Sequence, residues 1–284
     1  MAGDKKTVKS IKFYSDGKIA ETSSKGNQEK WQDNGRWYKL DQFGYEGLAE
    51  VTVSNLLELS SIEQNTPFKF VRYSPEIINA HGIDRTGCSS KNFLKKGQSI
   101  VTLSHLFKSY GMHLADSLSK LPSDKQRIAF IAEKTAELTG LDMFPKYLTL
   151  MFETDALFLN NDRHLNNIAV LECNGIFDYC PIFDNGAALL SNEMDYPMNI
   201  DPEALVRSVH ARPLNTTFNR QMIHAVKLYG IQLDISRLTT SDIRKAISES
   251  LEFYPDRDRG IISDRVMTTI EMRQSERMKI LNKF

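Results

Sequence analysis

The chain holds 284 residues, of which 41% are apolar, 10% aromatic and 25% charged, so it has material for a sizeable core and is not a disordered, collagen-like or small disulfide-framework protein. Its 36 Lys+Arg balance 36 Asp+Glu, so no net basic field draws it to nucleic acid or to an anionic membrane, and no stretch reaches the roughly 18 apolar residues of a membrane span. Cys88, Cys173 and Cys180 form neither a CxxC pair nor a metal-ligand spacing, and the start MAGDKKTVKS has no apolar leader. A reduced, cytoplasmic protein with no direct nucleic-acid or membrane partner is expected.

Short β-rich runs with turn signals dominate before about residue 105, and long helical patterns follow, which is an α+β layout. Residues 11–14 and 18–22 read as strands around Ser15-Asp16-Gly17, followed by the flexible polar stretch Ser23-Ser24-Lys25-Gly26-Asn27. Residues 28–32 and 36–40 flank Asp33-Asn34-Gly35, a strong hairpin signal, so the N-terminal part is expected to be a meander. Residues 45–59 read as a helix with Ala49, Val53, Leu56 and Leu57 on one face. Strands are expected over 68–73 and 99–103, with a weaker candidate over 89–94. Helices are expected over 125–139, 146–159, 203–211, 217–229, 241–253 and 262–281, several with capping residues at their starts. Residues 168–173 and 176–183 surround Asn174-Gly175 and read as a second hairpin.

Chemistry gathers around that second hairpin. The run Asn160-Asn161-Asp162-Arg163-His164-Leu165-Asn166-Asn167 precedes it and Asp184-Asn185-Gly186 follows it, and a hairpin brings its two ends together. Asp162, Asn167 and Asp184 are thus placed to share one site. Phosphoryl transfer needs this set: one Asp to orient and deprotonate the acceptor hydroxyl, then an Asn and an Asp to hold Mg²⁺ on the triphosphate of ATP. The N-terminal half supplies the remaining parts in order. The loop containing Ser24, Lys25, Gly26 and Asn27 is placed to cover the phosphates, Lys39 on the next strand to pair with them, and the following helix offers Glu46 and Glu50 on one face as partners for Lys39. Glu50, one turn further in, is the preferred partner.

Taken together, these segments resemble the HipA family of bacterial Ser/Thr kinases, a branch of the protein-kinase-like fold. The likeness runs from about residue 23 to residue 185. It is sharpest in Asn161-Asp162-Arg163-His164-Leu165-Asn166-Asn167, Phe183-Asp184-Asn185-Gly186, Ser23-Ser24-Lys25-Gly26-Asn27-Gln28-Glu29-Lys30 and Glu46-Gly47-Leu48-Ala49-Glu50. The resemblance implies a bilobal fold with a β-rich N-lobe over 1–103 and a helical C-lobe over 104–284, the adenine meeting backbone between residues 89 and 101. It implies Asp162 as catalytic base, Asn167 and Asp184 as Mg²⁺ ligands, Lys39 as a phosphate contact and Ser23 as an autophosphorylation site. His164, two residues after Asp162, is placed either to brace the loop or to contact the transferring phosphate.

Two departures stand out. The phosphate loop has the single glycine Gly26, and the metal motif reads Phe-Asp-Asn-Gly rather than Asp-Phe-Gly. The chain is also shorter than full-length HipA toxins and is expected to lack their extra N-terminal subdomain. The expected activity is ATP-dependent Ser/Thr protein phosphorylation, within a toxin–antitoxin system that has a helix-turn-helix antitoxin and a translation component such as an aminoacyl-tRNA synthetase as substrate. A small-molecule or lipid phosphotransferase, or an AMP-transferring enzyme, would use the same catalytic set and stays open.

Overall fold

The computed structural model of the chain describes residues 10–13, 29–80, 82–235 and 237–284. In chain order they form β1 (Ser10–Phe13), β2 (Lys30–Asp33), β3 (Arg36–Leu40), α1 (Glu46–Leu57), α2 (Ile62–Asn65), β4 (Tyr73–Ala80), β5 (Ile83–Lys91) and β6 (Ser99–Thr102). There follow α3 (Leu103–Ser109), α4 (Leu114–Ser119), α5 (Asp124–Thr139), α6 (Phe144–Phe158), β7 (Ala169–Cys173), β8 (Ile176–Tyr179), α7 (Pro202–Ser208), α8 (Phe218–Tyr229), α9 (Thr240–Leu251) and α10 (Asp256–Leu281). This is the α+β class the sequence implied, a strand-rich first part and a helical remainder. Among the described residues no helix is long and apolar enough to cross a membrane.

Five described strands form one sheet in the order β1-β4-β5-β3-β2. The β2–β3 hairpin is present, with Asn34 and Gly35 at φ 46° and 75°, the positive pair a type I′ turn requires. Two expectations need correction. The strand expected over 68–73 is instead Tyr73–Ala80, and the weak 89–94 signal is the end of Ile83–Lys91. Within 68–72 Phe70 makes an isolated β-bridge, to Ile182. Pro75 disguises β4 in the sequence, yet it lies near the start of the strand, opposite Cys88 of β5. The plain meander is also not what forms: β1 runs parallel to β4, on the far side of the sheet from β2. Parallel pairing joins segments remote in sequence, which local turn signals do not register. The strand expected over 18–22 and the loop over 23–27 lie outside the described residues.

α1 was patterned apolar on one face, but every residue except Asn55 is buried. One side packs on β3, β4 and β5 and another is covered by α9. The approach to the sheet is close. A Cβ on Gly47 would stand 2.7 Å from the Gly87 carbonyl carbon, and one on Gly87 would stand 2.2 Å from the Lys39 carbonyl oxygen, so only glycines fit where α1 meets β5 beside Lys39. The outer side of α1 is tied down by Tyr254, whose hydroxyl donates to Asp41 Oδ2 at 2.5 Å and accepts from the Leu48 N–H at 3.2 Å.

β6 pairs with β7, and β7 with β8, in a separate three-stranded sheet. Asn174 and Gly175 turn β7 into β8 with φ 52° and 80°, the second expected hairpin. One apolar cluster runs from α1 through α3, α5 and α6 to α9 and α10, with Phe68, Phe107, Phe144, Tyr147 and Phe152 at its centre. It seats α6 and the hairpin, the two elements that frame the polar loop between them.

Candidate active site

α6 is buried almost throughout and ends at Leu159, which takes the left-handed conformation at φ 56°. The loop that follows is organised by its own side chains. Asn160 Oδ1 accepts the Asp162 N–H at 3.2 Å, while its Nδ2 donates to the Asp184 carbonyl at 3.1 Å. Asn167 Nδ2 donates to the Asp162 carbonyl at 2.8 Å and to Asp162 Oδ2 at 3.2 Å. The amide's remaining polar atom is its oxygen, the atom a cation would bind. The Asn166 N–H donates to His164 Nδ1 at 3.2 Å, so the neutral ring carries its proton on Nε2, which lies 3.7 Å from Asp162 Oδ1. The Asp162 side chain is 51% exposed. Burial by the surrounding protein raises its pKa, His164 opposes that and Asp184 adds to it, and solvent screens much of each effect.

Beside this loop lies a cluster of charges. Lys39 Nζ donates to Asp184 Oδ1 at 2.6 Å and is paired with Glu50. Glu46, the alternative partner, is occupied elsewhere: its carboxylate accepts the N–H groups of Gln42, Phe43 and Gly44 at 3.3, 2.8 and 3.1 Å. Glu50 Oε2 also accepts the Asn185 N–H at 2.8 Å, tying α1 to the end of the hairpin. Asp184 is itself in the left-handed region at φ 62°, which aspartate tolerates better than most residues. Burial opposes the Lys39 charge, but Asp184 and Glu50 outweigh it and hold the ammonium well above its ordinary pKa. Burial pushes Asp184 up, and Lys39 and Lys30 overcome it, holding the carboxyl below the usual range. For Glu50, burial outweighs the pull of Lys39, and with Asp184 close by its pKa rises.

Among the described residues no group of three or more His, Cys, Asp or Glu side chains is arranged to hold a metal. The candidate donors are instead one carboxylate and one amide oxygen. That sparse, hard set suits Mg²⁺, which keeps waters and takes further oxygens from substrate phosphates. The candidate residues Lys39, Glu50, Asp162, His164, Asn167 and Asp184 thus lie in one linked network, whereas Ser23, Ser24, Lys25, Gly26 and Asn27 lie outside the described residues.

Three features carried no assigned role in the sequence reading. Lys30 is the cross-strand partner of Lys39, so both side chains leave the same face of the sheet. Burial lowers its pKa, Asp184, Glu50 and Asp162 counter that, and Lys39 reinforces it. Arg163, between two residues of the expected site, is 1% exposed and paired with Asp155 on α6. Tyr73 places its ring 5.3 Å from Lys39 Nζ and its hydroxyl 3.4 Å from the Asp184 N–H. The Lys30 signal was available once residues 28–32 and 36–40 were paired across Asn34-Gly35. A cavity of about 580 Å³ beside Asp41, Arg85, Tyr254 and Arg259 contains none of the candidate catalytic residues in its lining.

No protein-family model matches the chain, and no curated protein does. Solved structures do. The chain is similar to the Helicobacter pylori proinflammatory kinase CtkA, with 15% identity and a TM-score of 0.58 over 89% of this chain and 89% of that one. It also matches HipA from a Shewanella oneidensis MR-1 toxin–antitoxin complex with HipB and operator DNA, with 13% identity and a TM-score of 0.43 over 85% of this chain and 58% of that one. The fold assignment rests on the first of these. The kinase-like fold that the HipA resemblance implied is the fold of this chain.

Proposed function

We propose that the protein is an ATP-dependent phosphotransferase of HipA type that acts on Ser or Thr hydroxyls of a protein. The observation that carries this reading is the joining of two half-sites. Asp162 and Asn167 occupy one end of the β7–β8 hairpin, and Asp184, bonded to Lys39, occupies the other. Asp162 orients the acceptor hydroxyl and takes its proton as the oxygen attacks the γ-phosphorus and the bond to the β-phosphate oxygen breaks. His164, with its proton on Nε2, turns that donor toward the same carboxylate from 3.7 Å away. Asn167 and Asp184 would hold Mg²⁺, which supplies positive charge against the phosphates. Lys39, fixed by Glu50, and Lys30 beside it face the same anionic groups, and the segment with Ser24, Lys25, Gly26 and Asn27 would close over them.

The finer reading follows the sequence resemblance: Ser23 takes the phosphate in autophosphorylation, an aminoacyl-tRNA synthetase is the substrate class, and a helix-turn-helix antitoxin is the partner. One assay tests the core of it. The protein is incubated with Mg²⁺ and ATP labelled at the α- or the γ-phosphate, and its mass is followed. Label from the γ-position only, on Ser23 and absent from Asp162→Asn, is the expected result. Label from the α-position would make it an AMP-transferring enzyme. Full activity in Asp162→Asn, against an expected loss of about 10²–10⁴-fold, would remove the base assignment.

A further inference from the structure

Arg163 sits between Asp162 and His164 in sequence but turns the opposite way, into the protein. Its guanidinium bonds in four directions. Nε meets both Asp155 carboxylate oxygens, at 3.2 and 3.1 Å, and Nη2 meets Asp155 Oδ1 at 3.1 Å and Asn185 Oδ1 at 2.8 Å. Nη1 donates to the Asn167 carbonyl at 3.2 Å and to the Phe183 carbonyl at 2.6 Å. One side chain therefore grips α6, the last residue of the polar loop and both neighbours of Asp184. Asn160 makes a second tie across the same gap, through neutral bonds to the Asp184 carbonyl and Asn185 Oδ1.

The choice of residue at this point carries information. A buried ion pair is seldom the most stabilising way to fill a core, because desolvating both charges offsets their attraction. A planar guanidinium does something an apolar side chain does not: it fixes several acceptors at set angles, with bonds roughly twice as strong as neutral ones. Here the acceptors converging on Nη1 belong to residue 167, a candidate metal ligand, and residue 183, adjacent to the other. Asn185 then passes the arrangement on, since its N–H donates to Glu50, the partner of Lys39.

We propose that Arg163 is a positioning residue that sets the spacing between Asn167 and Asp184, and so the geometry in which the metal–nucleotide complex is held. The inference rests on the phosphotransferase reading for its function. Its mechanical part, that one guanidinium holds the two loops in register, stands without nucleotide.

Two measurements on the full chain separate these parts, using Arg163→Lys and Asn185→Ala. Arg163→Lys keeps a charge beside Asp155 but loses the fork, and Asn185→Ala keeps the ion pair and removes one acceptor. Hydrogen–deuterium exchange without nucleotide should rise together in segments 160–167 and 183–186 of Arg163→Lys, by about tenfold or more, with β2, β3 and α10 unchanged. The Mg²⁺ concentration giving half the ATP-induced thermal shift should rise about tenfold, the size expected when a group supporting a metal ligand is lost. Asn185→Ala should move both in the same direction by less, and it decides the matter on the same readouts if Arg163→Lys does not fold. A uniform rise in exchange with an unchanged Mg²⁺ midpoint would reduce Arg163 to a core strut and overturn the proposal. A wild-type protein with no Mg²⁺-dependent ATP shift would overturn the phosphotransferase reading instead, while the exchange pattern still decides whether the clasp exists.

Discussion

Two buried ion clusters flank the candidate site, and they differ in how complete they are. At Asp155–Arg163 one carboxylate meets one guanidinium, and the remaining donors end on two carbonyls and an amide. At Lys39 one ammonium serves two carboxylates, Glu50 and Asp184, and Asp184 keeps a second oxygen at a side chain that is 20% exposed. The first cluster is saturated and closed to solvent. The second leaves Asp184 with an oxygen not engaged by Lys39 and is open on one side, with Lys30 beside it. The saturated cluster holds backbone, and the second is where the proposed Mg²⁺ and phosphates would sit.

Breaking the open cluster should have the largest effect, and it should fall on activity. Asp184→Asn is expected to lower phosphotransfer about 10³-fold and abolish the Mg²⁺-dependent ATP shift, with a melting temperature close to wild type. Retained activity, measured with γ-labelled ATP, would erase the distinction between the clusters.

Breaking the closed cluster should fall first on stability. Arg163→Ala leaves Asp155 buried without its partner, and urea unfolding should show a loss of about 3–5 kcal/mol. Lys39→Met should cost less than half of that, because Glu50, already held high by burial, takes up a proton rather than stay charged. Equal losses for the two variants would show that both clusters are structural.

The smallest effect sharpens the comparison at the edge of the open cluster. Glu46, in α1's first turn, is pushed up to about 7 by burial and by the charge of Asp41, against the pull of its own N–H donors. A carboxyl raised in the folded state binds its proton more tightly there than in the unfolded chain. Its contribution therefore makes stability fall as pH rises from the unfolded value near 4.5 to about 7, and level off above that. Unfolding at pH 5 and pH 8 should show Glu46→Gln flattening the wild-type decline by on the order of 2 kcal/mol. An unchanged slope would assign the decline to other buried carboxyls.

How much of this was legible follows from the range over which each signal acts. Both Asn-Gly hairpins, the starts of α1 and α5 to α9 and the Asp162–Asn167 spacing are written in a few adjacent residues and were read, whereas the short helices α2, α3 and α4 were not expected and α10 starts at Asp256, six residues before the expected 262. β4 was not, because Pro75 and Asn79 lower its strand signal. For the Lys39 partner Glu50 was preferred but Glu46 stayed open, because residues four apart along a helix share a face. The fold separates them by wrapping the chain of residues 42–44 around Glu46. Arg163 lay inside the quoted motif, but nothing local says that a charged residue flanked by Asp162 and His164 turns inward to a carboxylate on the preceding helix.

The covering of α1 by Tyr254 and α9 has a consequence for synthesis. A chain leaves the ribosome in order, and the Leu48 N–H forms its bond to a hydroxyl 206 residues further on. By the time Asp184 has emerged, Lys39, Glu50, Asp162 and Asn167 are all out, yet the apolar residues of α1 that α9 covers still face water. A nascent protein at that stage holds the whole candidate set while α1, which carries Glu50, lacks its outer support. On the proposed phosphotransferase reading, competence would come with the last fifth of the chain, once α9 and Tyr254 cover α1.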